Sequence, residues 1–245
     1  MQIILIPYIT AGFPTKKLFL PILETLSKNG ADFIEVGVPH SDPLADGPVI
    51  QQSSKIALEN GVNLKWIVGA CCDKYLQQQK IKPLILFSYF NPILQYGLEK
   101  LLKDLPKPLF YGLIIPDLPL EEAKKYLSLF KKHKLNLILL AAPTTKKEKI
   151  KKIAKSSGGF IYLVSVTGTT GVRRKLSSEL KQKIKEIKSY TKKPVVVGFG
   201  ISNSKQVKKI ISYGANGVVI GSALIKVLEK SKNSLPRLKN FILKQ

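Results

Sequence analysis

The chain has 245 residues, with 40 basic against 16 acidic side chains and a formal charge of +24 at pH 7. Its 44% hydrophobic content supplies material for a core and excludes wholesale disorder, while no apolar run approaches the ~20 residues of a membrane-spanning helix. The only cysteines, Cys71 and Cys72, are adjacent and cannot form an ordinary disulfide, and with two histidines they leave no structural zinc site.

The opening Met1-Gln2-Ile3-Ile4-Leu5-Ile6-Pro7 shows neither the charged segment nor the cleavage site of a leader, so the expected location is the cytoplasm, or the plastid stroma for an organelle-encoded chain. Eight β-rich runs then recur, at 3–10, 32–37, 83–88, 111–115, 136–141, 159–165, 194–198 and 217–220. Most lack polar alternation, as strands buried on both faces of a parallel sheet do. Amphipathic segments lie between them. Thr15 is placed to cap a helix bearing Leu18, Phe19, Ile22, Leu23 and Leu26, which Asn29-Gly30 ends; Pro21 inside it must kink that helix or shift its start. The longest interval follows the second run, where 38–48, rich in Pro, Gly and Asp, reads as a functional βα loop. Ser202-Asn203-Ser204 opens a helix bearing Val207, Ile210 and Ile211, and Gly214 closes it. The runs start about 31 residues apart, the length of one βα unit, so the chain is expected to be α/β, a (β/α)8 TIM barrel forming one domain over 1–245. The alternative, an open doubly wound sheet, usually has fewer strands and often a Gly-x-Gly-x-x-Gly turn, which is absent here.

In a barrel the active site lies at the C-terminal ends of the strands. Gly198-Phe199-Gly200-Ile201-Ser202 and Gly221-Ser222-Ala223 follow the last two runs, and Thr167-Gly168-Thr169-Thr170-Gly171 follows the sixth. Glycines there let backbone N–H groups approach a phosphate, and a helix starting near Ser222 aims its positive end at it. Glu35, within Phe33-Ile34-Glu35-Val36-Gly37, is a carboxylate among apolar neighbours: a catalytic acid or base, or a group paired inside the barrel. The next loop, His40-Ser41-Asp42-Pro43-Leu44-Ala45-Asp46-Gly47-Pro48, adds two acids; Asp42 suits a turn, whereas Asp46 has no evident structural duty. Asp117 reads either as a loop brace or as an active-site partner, and His40, with no second ligand near in sequence, as neither base nor metal ligand. No metal site is expected.

The charge raises a competing reading, a nucleic-acid-binding protein. Only Arg173, Arg174 and Arg237 are arginine, and the lysines are scattered through helical segments such as Lys147, Lys149, Lys151, Lys152 and Lys155. That pattern fits a solvated helix surface better than base readout.

Taken together, Pro7-Tyr8-Ile9-Thr10-Ala11-Gly12, Glu35-Val36-Gly37-Val38-Pro39, Ser41-Asp42-Pro43-Leu44-Ala45-Asp46-Gly47-Pro48, Pro116-Asp117-Leu118-Pro119 and Gly198-Phe199-Gly200-Ile201-Ser202 resemble the tryptophan synthase alpha subunit over nearly the full chain. The resemblance implies cleavage of indole-3-glycerol phosphate to indole and glyceraldehyde 3-phosphate. It assigns catalysis to Glu35, as acid and base, and to Asp46, on the indole nitrogen. It assigns the phosphate to Gly171, Gly200, Gly221 and Ser222, and other substrate contacts to Tyr89, Thr170 and Phe199. It further implies no cofactor in this chain and a beta-subunit partner that holds pyridoxal phosphate, receives the indole and completes an alpha2beta2 assembly. The loops near Asp46 and at 167–176 should order on substrate or partner binding. A stand-alone, indole-releasing lyase is the variant reading. Three departures stand out: the family's helix before the first strand is missing, which questions how the lower barrel end is sealed; His40 replaces a common aromatic; and Val166 stands where some members have arginine.

Overall fold

The computed structural model describes residues 3–73, 80–164, 173–198, 200–229 and 234–244. Its strands are β1 (Ile4–Thr10), β2 (Ile34–Gly37), β3 (Leu84–Phe87), β4 (Phe110–Ile114), β5 (Asn136–Ile138), β6 (Leu140–Ala141), β7 (Ile161–Val164), β8 (Val195–Gly198) and β9 (Gly217–Ile220). All pair in parallel, in the order β5-β4-β3-β2-β1-β9-β8-β7-β6. Only Leu139 separates β5 from β6. Its N–H donates to Ser157 Oγ at 2.9 Å and its carbonyl accepts from Tyr162 N at 3.2 Å, so one bent stave joins both ends of the sheet and an eight-stave barrel closes.

The helices between the staves are α1 (Phe19–Lys28), α2 (Pro48–Glu59), α3 (Leu64–Cys71), α4 (Phe90–Tyr96), α5 (Leu98–Asp104), α6 (Leu120–Lys132), α7 (Lys147–Ser156), α8 (Arg173–Tyr190), α9 (Ser204–Ser212), α10 (Ser222–Glu229) and α11 (Ser234–Ile242). Each of the central ones buries one stripe, as helical periodicity demands: Phe19, Ile22, Leu23 and Leu26 in α1, and Leu180, Ile184 and Ile187 in α8. Pro21 moves the start of its helix without kinking it. A 3-10 turn spans Lys16–Leu18, the α-helix begins at Phe19, and Pro21 therefore falls in the first turn, where an N–H has no helical acceptor anyway. Thr15 stands at the cap position, extended, but its side chain makes no cap bond; Asn203 does cap α9, accepting from Gln206 N at 3.0 Å. The α4–α5 pair, split at Gly97, has no counterpart in the sequence reading.

At the lower, N-terminal end of the staves, Phe33 lies 4.7 Å from Tyr111 and 6.4 Å from Phe160, centroid to centroid. These three rings pack together at that end of the barrel. Closure of β9 on β1 depends on Gly217, because a Cβ there would collide with the Ile4 carbonyl oxygen. Gly217→Ala should therefore lower stability by about 2 kcal/mol in urea unfolding, since the strands must separate to admit one methyl group.

Candidate active site

Glu35 is the second residue of β2, in register with Tyr8 of β1, and is 2% exposed. Its Oε2 is buried with no hydrogen-bond partner among the described residues. Burial, reinforced by the negative charge of Asp46, pushes its carboxyl up to about 8. Near neutrality it is an acid holding a proton.

Asp46 lies near the end of the loop after β2, separated from α2 by Gly47. The segment is folded on itself, with Leu44 N donating to Asp42 O at 3.1 Å and Asp46 N to Pro43 O at 3.0 Å. Asp42 thus serves a turn, as its place before a proline suggests. Burial raises the Asp46 carboxyl to about 6, opposed by a hydrogen bond from Tyr89. The Tyr89 hydroxyl donates to Asp46 Oδ2 at 3.2 Å and accepts from Ala45 N at 2.8 Å, so this tyrosine grips the loop. His40 stacks on the Tyr89 ring at 4.9 Å and 29°, which gives it the packing task of an aromatic. Among the described residues no three His, Cys, Asp or Glu side chains converge as a metal site. Asp117 braces its loop: both carboxylate oxygens accept from Phe90 N, at 2.9 and 3.2 Å.

Two tyrosines that the sequence did not single out complete the interior. Tyr8 packs edge-on against Phe87 at 6.0 Å, covers Gly37, and lies 3.3 Å from the point a Gly221 Cβ would occupy. It therefore spans from the end of β2 to the glycine rim after β9. Tyr162 extends over Gly198, leaving no room there for a side chain. Burial raises both phenols well above their usual range; the charge of Asp46 adds next for Tyr8, and that of Glu35 for Tyr162. Both remain protonated donors within electrostatic reach of the two acids. The signal for Tyr8 was available as its register with Glu35 once the strands were aligned.

The glycine rim begins at Gly200, whose φ of +73° suits glycine, and continues through Gly221 to Ser222, the first residue of α10. The Gly221 carbonyl accepts from Leu224 and Ile225 at 2.8 and 3.0 Å, so the helix starts here and its first N–H groups have no helical acceptor. Thr170, Gly171, Phe199 and Val166 lie outside the described residues.

An interior acid, a second acid on the next loop and a glycine rim thus line one barrel mouth. The family model described as tryptophan synthase alpha chain matches residues 2–243. The chain belongs to the tryptophan synthase alpha family. It is thereby a lyase that cleaves indole-3-glycerol phosphate to indole and glyceraldehyde 3-phosphate, the alpha half-reaction of tryptophan biosynthesis. The tryptophan synthase alpha chain of Prochlorococcus marinus is 46% identical over 225 residues, covering 92% of this chain and 84% of its own. That of Arabidopsis thaliana is 42% identical over 240 residues, covering 98% and 86%. The crystal structure of tryptophan synthase subunit alpha from Legionella pneumophila superimposes with a TM-score of 0.88 at 33% identity, covering 99% of this chain and 91% of that one. Among the described residues no helix is long and apolar enough to cross a membrane.

Proposed function

We propose that Glu35 is first the acid and then the base of this cleavage, and that Asp46 carries the charge that forms between the two steps. Protonated Glu35 gives its proton to the indole ring carbon that bears the glycerol chain, which breaks the ring's aromaticity and leaves a positive charge on the ring nitrogen. Ionised Asp46 accepts the hydrogen bond of that N–H and stabilises the cation. Glu35, now a carboxylate, removes the proton of the adjacent glycerol hydroxyl. The carbon–carbon bond breaks, its electron pair restores the aromatic ring, and the hydroxyl carbon becomes the aldehyde of glyceraldehyde 3-phosphate. The acid ends protonated, as it began. The observation supporting this division most directly is that one shared burial holds Asp46 near 6 and Glu35 near 8, so that one is ionised and the other protonated around pH 7. Indole release should accordingly peak between the two values, falling on the acid side as Asp46 is protonated and on the alkaline side as Glu35 ionises. A rate flat across that window would remove the pair from the mechanism.

Gly200, Gly221 and Ser222, with Gly171, hold the phosphate in this reading, while Tyr89, Thr170 and Phe199 flank the substrate. Inorganic phosphate should then compete weakly with substrate; purely noncompetitive inhibition would argue against the rim. Since the bond cleavage is driven by proton transfers between a carboxyl group and the substrate, with the protonated ring taking up the electron pair, the alpha reaction requires no cofactor in this reading. Pyridoxal phosphate belongs to the beta subunit, with which this single-domain barrel forms an alpha2beta2 complex in the cytoplasm or plastid stroma. Measuring indole with and without a beta subunit separates this from a stand-alone lyase: strong activation and loss of free indole fit the complex, whereas equal release in both fits the stand-alone enzyme.

A further inference from the structure

We infer that Asp117 is a positioning residue for the cleavage, acting on Asp46 through Tyr89. The inference rests on the reading above, in which Asp46 must be ionised while Glu35 is not.

Three observations form the chain. Tyr89 occupies the N-cap position of α4, but its side chain makes no cap bond, because a tyrosine hydroxyl lies too far from its own backbone to reach the first turn; here it bonds Ala45 and Asp46. The helix start therefore needs a foreign acceptor. Asp117, from the loop after β4, supplies it with two oxygens on Phe90 N. The peptide N–H that Asp117 holds belongs to the residue following Tyr89, so the ring's point of attachment is fixed where a small rotation would move the hydroxyl off both of its partners. Asp117 touches Phe90 and leaves the reacting atoms to Glu35 and Asp46.

The sign of the effect distinguishes positioning from plain electrostatics. Among the described residues, the groups whose charges or hydrogen bonds reach Asp46 are Tyr89 beside it, and Glu35, Tyr8 and Tyr162 inside the barrel; His40 stacks on Tyr89 from the loop side, and Gln51 of α2 donates to the Asp46 carbonyl at 2.9 Å. Removing a negative charge in the neighbourhood would, by itself, favour ionisation of Asp46. Loosening Tyr89 does the opposite, since it withdraws the hydrogen bond that holds the Asp46 carboxyl down.

The test is the pH profile of kcat for Asp117→Ala and Asp117→Asn, with Tyr89→Phe as the second arm of a double-mutant cycle. Asp117→Ala should lower kcat about tenfold, leave KM within about twofold, and move the acid limb to higher pH. Asn keeps one acceptor for Phe90 N, so Asp117→Asn should restore most of kcat and return the limb close to its wild-type position. In a Tyr89→Phe background, Asp117→Ala should cost less than twofold. An acid limb that stays put or moves to lower pH, or losses that multiply in the double variant, overturns the inference. Carbon-13 NMR titration of Asp46 in the substrate-free Asp117→Asn and Asp117→Ala proteins reads the same displacement without turnover, and if Ala prevents folding, Asp117→Ser takes its place. Failure of the lyase reading would appear separately, as wild-type protein that releases no indole.

Discussion

Glu35→Gln should lower kcat for indole release by about a thousandfold while KM changes less than about threefold. The amide is isosteric and neutral, like the protonated acid it replaces, so the substrate should bind an almost unchanged pocket. It cannot deliver a proton to the ring carbon or collect one from the glycerol hydroxyl, and both transfers belong to the transition state. A parallel rise in KM would mean that Glu35 mainly holds substrate; unchanged turnover would exclude it from the chemistry. The same variant carries a stability signature of opposite sense. The folded chain keeps the Glu35 proton up to about 8, while an unfolded chain releases it near 4.5, so wild-type stability falls as pH rises through that window and levels off above it. Glu35→Gln lacks that loss. Its melting temperature should match wild type near pH 4.5 and exceed it above pH 8, in step with the few kcal/mol by which an ionised, unpartnered carboxylate burdens the interior. A less stable variant at high pH would mean that Glu35 has a partner in the folded protein.

Asp46→Asn should cost about a hundredfold in kcat, because an amide oxygen can accept the indole N–H but supplies no negative charge against the ring cation. Two changes in the pH profile should accompany it. The acid limb near 6 should vanish with the group that causes it. The alkaline limb should move to lower pH, since the Asp46 charge is one of the two causes that raise Glu35. Burial is the larger cause, so the limb should remain well above the ordinary glutamate range. An alkaline limb that does not respond would mean that the two carboxyl groups titrate independently.

The barrel was legible because its signals are local. Unbroken runs of Val, Ile and Leu marked the staves, and Asn203 and Gly214 punctuated α9 as side-chain capping and positive φ require. The fifth stave was read as one run, 136–141, though Leu139 divides it where its partner changes from β4 to β7, a feature of closure that no local pattern encodes. Asp46 was legible as an acid without evident structural duty, and Glu35 as a carboxylate either catalytic or paired inside the barrel. The resemblance implied their division of labour, but their opposite protonation states were not legible, because these arise from burial and from a Tyr89 hydroxyl 43 residues along the chain from Asp46. A separation of 27 residues likewise hid Asp117, whose two readings as brace or active-site partner were separated only by finding Phe90 N on its carboxylate. Tyr8 and Tyr162 looked like ordinary strand residues; their hydroxyls matter because Gly37 and Gly198 leave room for them at the barrel mouth.

The most direct test of two acids kept in opposite protonation states by one pocket is a carbon-13 NMR titration of the glutamate carboxyl groups, with Glu35→Gln identifying the Glu35 resonance. The structure predicts a single carboxyl titrating at about 8, absent from the variant. A Glu35 resonance titrating near the ordinary 4.5 would mean that no proton is held there at neutral pH, and the proposed acid step would have no donor.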